Sequence, residues 1–110
     1  MARLPLHWRG RNGERRVSHE AALRAAIPED VATLMGRLHS HSFAAYVVGG
    51  AVRDVLAGRA PTDWDLATNA TPDQLRAAFP DAQYENRFGT VGIPTGVAVR
   101  EVTTFRADGP

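Results

Sequence analysis

Phe43-Ala44-Ala45-Tyr46-Val47-Val48 is a short apolar, partly β-branched run that stops at Gly49-Gly50, and beyond the glycines Val52, Val55 and Leu56 recur at helical spacing up to Gly58. A change of period across a glycine pair predicts a strand, a tight turn and a helix in direct succession. Such a unit can bury itself only in a layered structure, with a sheet on one side and helices on the other.

The rest of the chain fits that frame. Val31, Leu34, Met35 and Leu38 recur at helical spacing, with Pro28 available to the first turn and Glu29 and Asp30 placed to favour the N-terminal dipole, which predicts an amphipathic helix over 28–41. Asp63–Thr68 reads as a second strand. Thr71-Pro72-Asp73-Gln74 matches a capping box with proline in the first turn, opening a helix from 72 to about 79 that Pro80 stops. Ala82–Glu85, Gly89–Ile93 and Val97–Phe105 read as three further strands, separated by Asn86-Arg87 and by Pro94-Thr95-Gly96. The order α-β-α-β-α-β-β-β predicts an α+β domain, a mixed β-sheet flanked by helices.

A length of 110 residues at 44% hydrophobic content suits one such domain with one core. Cysteine is absent, so neither a disulfide framework nor a cysteine zinc site is available. No apolar run approaches the roughly 18 residues of a membrane span, and MARLPLHWRGR lacks the apolar segment of a secretory signal. The chain therefore reads as soluble and cytoplasmic, with no membrane partner. The net charge of +1 hides an asymmetry: residues 1–27 carry six Arg against two Glu, whereas residues 28–110 carry seven Arg against ten acids. The boundary falls near Pro28, between a basic, partly disordered arm over 1–27 and a compact domain over 28–110. Such an arm is a solvated leader or a phosphate contact.

Three clusters bear on chemistry. In a strand, Asp63 and Asp65 emerge on one face while Trp64 and Leu66 emerge on the other. Two carboxylates this close repel each other unless a cation or basic group neutralises them, and Mg²⁺ typically takes one or two carboxylates together with substrate phosphates. Taken alone, the pair equally fits solvated residues at a strand end. Gly49 and Gly50 expose main-chain N–H groups where a triphosphate can approach closely, and Arg53 can place a guanidinium over its oxygens. A ligand-free strand-to-helix turn uses the same glycines. Asp54 either holds Arg53 or serves the helix, and the structural role is favoured. In Arg100-Glu101-Val102-Thr103-Thr104-Phe105-Arg106, Glu101 shares a face with Val97 and Val99. It is either a third carboxylate of the site or a salt-bridge partner for an arginine. Arg106 falls on the opposite parity, facing a loop, a substrate or solvent. His39 and His41 read as surface residues complementing a helix C-terminus.

Taken in order, YVVGGAVRDVLAG, DWDLATNATP, RFGTV and EVTTFR resemble the head domain of the class II tRNA nucleotidyltransferase (CCA-adding enzyme) and poly(A) polymerase family, within the polymerase-β-like nucleotidyltransferase superfamily. The likeness covers about residues 28–108. It implies a polymerase-β-like fold and Mg²⁺-dependent nucleotidyl transfer from CTP or ATP to an RNA 3′ end, above all the CCA end of tRNA. By resemblance Asp63 and Asp65 are the Mg²⁺ ligands, and Gly49, Gly50 and Arg53 contact the nucleoside triphosphate. Glu101 falls in the EVTTFR segment as a catalytic candidate and Arg106 as a nucleotide-binding one. Residues 82–92 correspond to the family's mobile loop.

The family's neck, with its RRDFxxNA-like and EDxxR-like motifs, and its helical body and tail have no counterpart in the sequence. The chain is accordingly expected to be the head of a longer enzyme or a minimal version of it, with poor selectivity and poor activity in isolation. The alternative is a non-catalytic module that binds nucleoside triphosphate or RNA and needs a partner. Self-association through apolar surface left by the missing neck is a further expectation.

Overall fold

The structure, a computed structural model, describes residues 21–105. Helix α1 (Glu29–Ser40) is followed by β1 (Tyr46–Val48), α2 (Gly50–Leu56), β2 (Asp65–Thr68), α3 (Pro72–Ala78), β3 (Tyr84–Glu85), β4 (Thr90–Pro94) and β5 (Val99–Thr104). Element order and type agree with the sequence reading, and the bounds tighten: Phe43–Ala45, Asp63–Trp64 and Val97–Ala98 lie outside the strands expected to contain them. The first 20 residues, with most of the basic arm, and Arg106 lie outside the described residues.

Residues 21–26 are helical, and Leu23, Ala26 and Ile27 pack against the core. The packed residues therefore begin upstream of Pro28. These apolar side chains supply buried surface that the arginine-rich composition of the arm obscured.

The five strands form one mixed sheet in the order β1-β2-β5-β4-β3. Only β2 and β5 run parallel, at the centre, and every other pairing is antiparallel. Side chains alternate across a strand, so each register fixes a face. Leu66, Val102, Val91 and Ile93 point to one side and are fully buried. Against them lie Val31, Leu34 and Leu38 from α1, Leu75 from α3, and Phe79 just beyond it. The capping box at the start of α3 is complete: Gln74 N–H donates to Thr71 Oγ1 at 3.1 Å and Thr71 N–H to Gln74 Oε1 at 2.9 Å. His41 stays exposed, its ring 6.1 Å from Phe43 and 5.9 Å from Phe79.

Arg100 points into the helix-covered side, between β5 and α1. Its guanidinium donates to both oxygens of Asp30, at 2.8 and 3.0 Å, and Thr95 Oγ1 donates to the same carboxylate at 2.6 Å. Asp30 is thus a partner across the fold as well as a first-turn acid. The stripe of Val97, Val99 and Glu101 lies on the opposite, open side, with Val97 in the turn before β5 and 74% exposed. Glu101 is therefore an exposed acid on a wet face.

Candidate active site

The open face carries the acids. Leu66 pairs with Val102 across the parallel strands, so Asp65 and Glu101, one residue earlier on each, stand side by side on the other face. Trp64 is 4% exposed and Leu66 fully buried, and this inward anchoring turns Asp63 and Asp65 outward as the alternation predicts. Asp63, Asp65 and Glu101 line one cleft of about 300 Å³.

Electrostatics set this cleft apart. Asp65 is half-buried, and its carboxyl is pushed above the ordinary carboxylate range, first by burial and then by the charges of Glu101 and Asp63. A second cleft, of about 290 Å³ beside α1, also contains acids, but there Asp30 is committed to Arg100. The cleft over β2 and β5 is the one whose carboxylates lack a basic partner among the described residues.

The glycine turn stands at its edge. Val48 pairs with Asp65, so the chain leaves β1 level with that carboxylate. Gly49 has φ +78°, a left-handed conformation that side chains rarely adopt, and a Cβ there would lie 3.8 Å from Asp65 Oδ2. A Cβ on Gly50 would lie 3.4 Å from Arg53 Nη2, which shows the guanidinium folded back over the turn. Gly49, Gly50, Arg53 and Asp65 are thus brought together. Asp54 turns elsewhere: it pairs with Arg59 at 3.6 Å, while its carbonyl accepts from Arg59 N–H at 2.8 Å, closing the end of α2.

Of the two partners open to Glu101 in the sequence, an arginine is not the one found among the described residues. Its Oε2 accepts from the Tyr84 hydroxyl at 2.7 Å, and this bond, ahead of burial, pushes the Tyr84 phenol up to about 12. Tyr84 belongs to the segment that the resemblance assigns to a mobile loop. Here that segment forms the β3–β4 hairpin, its turn held by Asn86 Oδ1, which accepts from Phe88 N–H at 2.8 Å and Thr90 N–H at 3.1 Å. Phe88 at the tip is 72% exposed.

Among the described residues no group of three or more His, Asp or Glu is close enough to enclose a metal ion. Two carboxylates beside a basic, glycine-lined edge suit a hard cation that completes its shell with phosphate oxygens and water. The donor chemistry and the charge on Asp65 therefore fit Mg²⁺ carried with a nucleotide. They do not fit a resident, wholly protein-bound metal.

Sequence reasoning missed two features. Arg100 gave no readable signal, since apolar residues stand on both faces of its strand and its partner Asp30 is set by the packing of α1 on the sheet. Tyr84 gave none either, because its partner is set by a strand pairing. Among the described residues no helix is long and apolar enough to cross a membrane.

Comparisons with known proteins bear on the fold and the family. Poly(A) polymerase I of Salmonella typhi is 41% identical over 87 residues, covering 78% of this chain and 19% of that protein. The CCA-adding enzyme of Geobacillus thermodenitrificans is 46% identical over 77 residues, covering 69% of this chain and 19% of that protein. The chain thus spans about a fifth of the relatives it matches. Among solved structures, the Bacillus stearothermophilus CCA-adding enzyme in complex with CTP aligns with a TM-score of 0.66 at 38% identity, over 76% of this chain and 22% of that one. The Thermotoga maritima CCA-adding enzyme complexed with tRNA aligns at 0.60 over 80% of this chain and 24% of that one, and at 20% identity this likeness speaks for the fold alone. The polymerase-β-like mixed sheet expected from the sequence is the fold found. The family model of the Poly A polymerase head domain matches residues 45–109, the stretch that holds the acids, the glycine turn and the hairpin, and the chain belongs to that family.

Proposed function

We propose that this chain is the catalytic head of a cytoplasmic nucleotidyltransferase that moves a nucleotide from CTP or ATP to the 3′ end of an RNA, in the first place a tRNA. The observation that carries the reading is the meeting of Asp63, Asp65 and Glu101 in one cleft beside Gly49, Gly50 and Arg53. Relatives named as CCA-adding enzyme and poly(A) polymerase support it.

Asp63 and Asp65 would hold Mg²⁺ through their outward carboxylates. When bound with the nucleotide, Mg²⁺ supplies Lewis-acid stabilisation of the charge that develops as the phosphoryl group transfers. Gly49 and Gly50 present main chain without side chains, so triphosphate oxygens can approach their N–H groups. Arg53 adds a guanidinium from above the turn and holds the triphosphate against the acidic cleft. Glu101, beside Asp65, extends the anionic surface toward β4. That placement suits it to orient the incoming RNA hydroxyl or a water bound at the cleft. The residues so placed bind and align the reactants, which is where phosphoryl transfer gains most from a protein.

A second reading, a nucleotide-binding module that works with a partner, rests on the same cleft and glycine turn, whose residues would bind a triphosphate with or without turnover. The two readings share the triphosphate site and differ in turnover.

An NMR titration of the chain with Mg²⁺ and ATP or CTP, beside the Asp63→Asn, Asp65→Asn double variant, tests the shared site. Shifts centred on Gly49–Arg53 and Asp63–Asp65 that vanish in the variant are expected, and their absence in a folded wild-type sample overturns the triphosphate site. Pyrophosphate release in the presence of a tRNA lacking its 3′ end then separates catalysis from binding.

A further inference from the structure

We propose that Tyr84 is a positioning residue for Glu101, reaching it across a seat that residue 92 can provide only as glycine. This inference rests on the nucleotidyltransferase reading of the acidic cleft and names a residue outside the Asp, Gly and Arg set that reading uses.

Three strands carry the arrangement. Tyr84 on β3 pairs with Gly92 on β4, and Gly92 pairs with Glu101 on β5, so the three residues form one row across the open face. A Cβ on Gly92 would lie 2.3 Å from Tyr84 Cε2 and 2.5 Å from Cζ. The phenol ring therefore lies directly on bare β4 backbone, in space that any side chain at 92 would fill. Crossing that strand brings the Tyr84 hydroxyl within 2.7 Å of Glu101 Oε2, to which it donates. Asp65 is the next residue along the same row.

The chemistry gives the contact its use. Glu101 is exposed, has several rotatable bonds and is repelled by Asp65, so an unheld side chain would swing toward solvent. Tyr84 fixes one carboxylate oxygen and leaves the other available to the cleft. A phenol does this without adding charge. An arginine in its place would neutralise Glu101 and compete with any cation brought in by a nucleotide. The Tyr84–Glu101 bond thus holds the third acid in place without bringing a positive charge to it, in the manner of the partners that orient carboxylates around metal sites.

Tyr84→Phe removes the hydroxyl and keeps the ring on Gly92. Two readouts on the whole chain test the proposal. In the metal-free protein, side-chain ¹³C relaxation and three-bond couplings of Glu101 are expected to show one rotamer in wild type and averaging in Tyr84→Phe, with the urea midpoint unchanged. Gly92→Ala, which displaces the ring, should reproduce the averaging. Unchanged Glu101 order in Tyr84→Phe overturns the proposal.

In the second readout, Mn²⁺–ATP affinity measured by water-proton relaxation should fall roughly tenfold in Tyr84→Phe, the scale for losing such an orienting partner. Tyr84→Phe should cost nothing further in a Glu101→Gln background. Losses that add in full in the double variant overturn the proposal. If wild type takes up no Mn²⁺–ATP, the nucleotidyltransferase reading falls, and Glu101 order still decides the role of Tyr84.

Discussion

Arg100 and Asp30, far apart in sequence, meet in a two-pronged ion pair at 2.8 and 3.0 Å, with both side chains almost wholly removed from solvent. The pair clamps the start of α1 to β5, the strand that carries Glu101 on its other face. The Arg100 hydrogen bond, as the largest influence, holds the Asp30 carboxyl down from its ordinary 3.8 to about 2. A carboxyl depressed on folding contributes stability that is fully present above about pH 4 and is lost as the pH falls toward 2. The contribution is about 2 kcal/mol. Urea unfolding between pH 6 and pH 2 should show that loss in wild type and a smaller one in Asp30→Asn. Arg100→Met leaves a buried carboxylate without its partner and should cost about 3 kcal/mol at pH 7.

Asp65 presents the opposite situation. Burial and the neighbouring charges of Glu101 and Asp63 work against its ionised form, so the folded chain bears a cost at neutral pH for keeping it charged. Asp65→Asn should therefore raise the thermal midpoint slightly, by the equivalent of roughly 0.5 kcal/mol, while abolishing Mg²⁺-dependent nucleotide binding. A variant that unfolds, or one that keeps its affinity, would show that Asp65 serves the fold and not the ligand. Differential scanning calorimetry beside isothermal titration separates the outcomes.

Gly49 offers a backbone test of the same site. Its φ of +78° penalises any side chain, yet a methyl group there meets Asp65 Oδ2 only at 3.8 Å, an ordinary contact. Gly49→Ala should cost about 1–2 kcal/mol through backbone strain alone. If the turn admits a triphosphate, affinity for Mg²⁺–ATP at temperatures where the variant is folded should fall by more than the loss of folded chain explains. Equal affinity per folded molecule would assign Gly49 to the turn alone.

These cases show what the sequence could and could not reveal. Alternation placed Asp65 opposite Leu66, because a strand's period of two depends on nothing beyond the strand, and Asp63 and Trp64, just ahead of β2, keep the same pattern through the burial of Trp64. The capping box at Thr71 and Gln74 was legible for the same reason: both partners lie within one turn. The parity of Glu101 with Val99 was also legible, but the side on which that face lay was not, since apolar residues stand on both faces of β5. Asp30 with Arg100, and Tyr84 with Glu101, depend on sheet order and register, set by closure of the whole core. No local pattern encodes either pair, and the same holds for Gly92, whose bare backbone matters only because Tyr84 lies across it.

Arg53 and Gly50 give the last test, because their closeness can be perturbed from either side. The guanidinium Nη2 stands 3.4 Å from where a Gly50 Cβ would be, tighter than most real contacts, so Gly50→Ala should push the flexible end of Arg53 outward at little cost to the fold. Arg53→Lys keeps the positive charge and loses the planar fork that can engage two phosphate oxygens. Arg53 is exposed, so Arg53→Lys should leave the unfolding midpoint unchanged. Mg²⁺–ATP affinity should drop roughly tenfold, the effect of losing about 1.5 kcal/mol of charge-assisted hydrogen bonding. In Gly50→Ala, where the guanidinium is already displaced, the further Arg53→Lys change should matter less. A full, additive tenfold loss in the double variant would mean that Arg53 reaches the nucleotide from some position other than the one over the glycine turn.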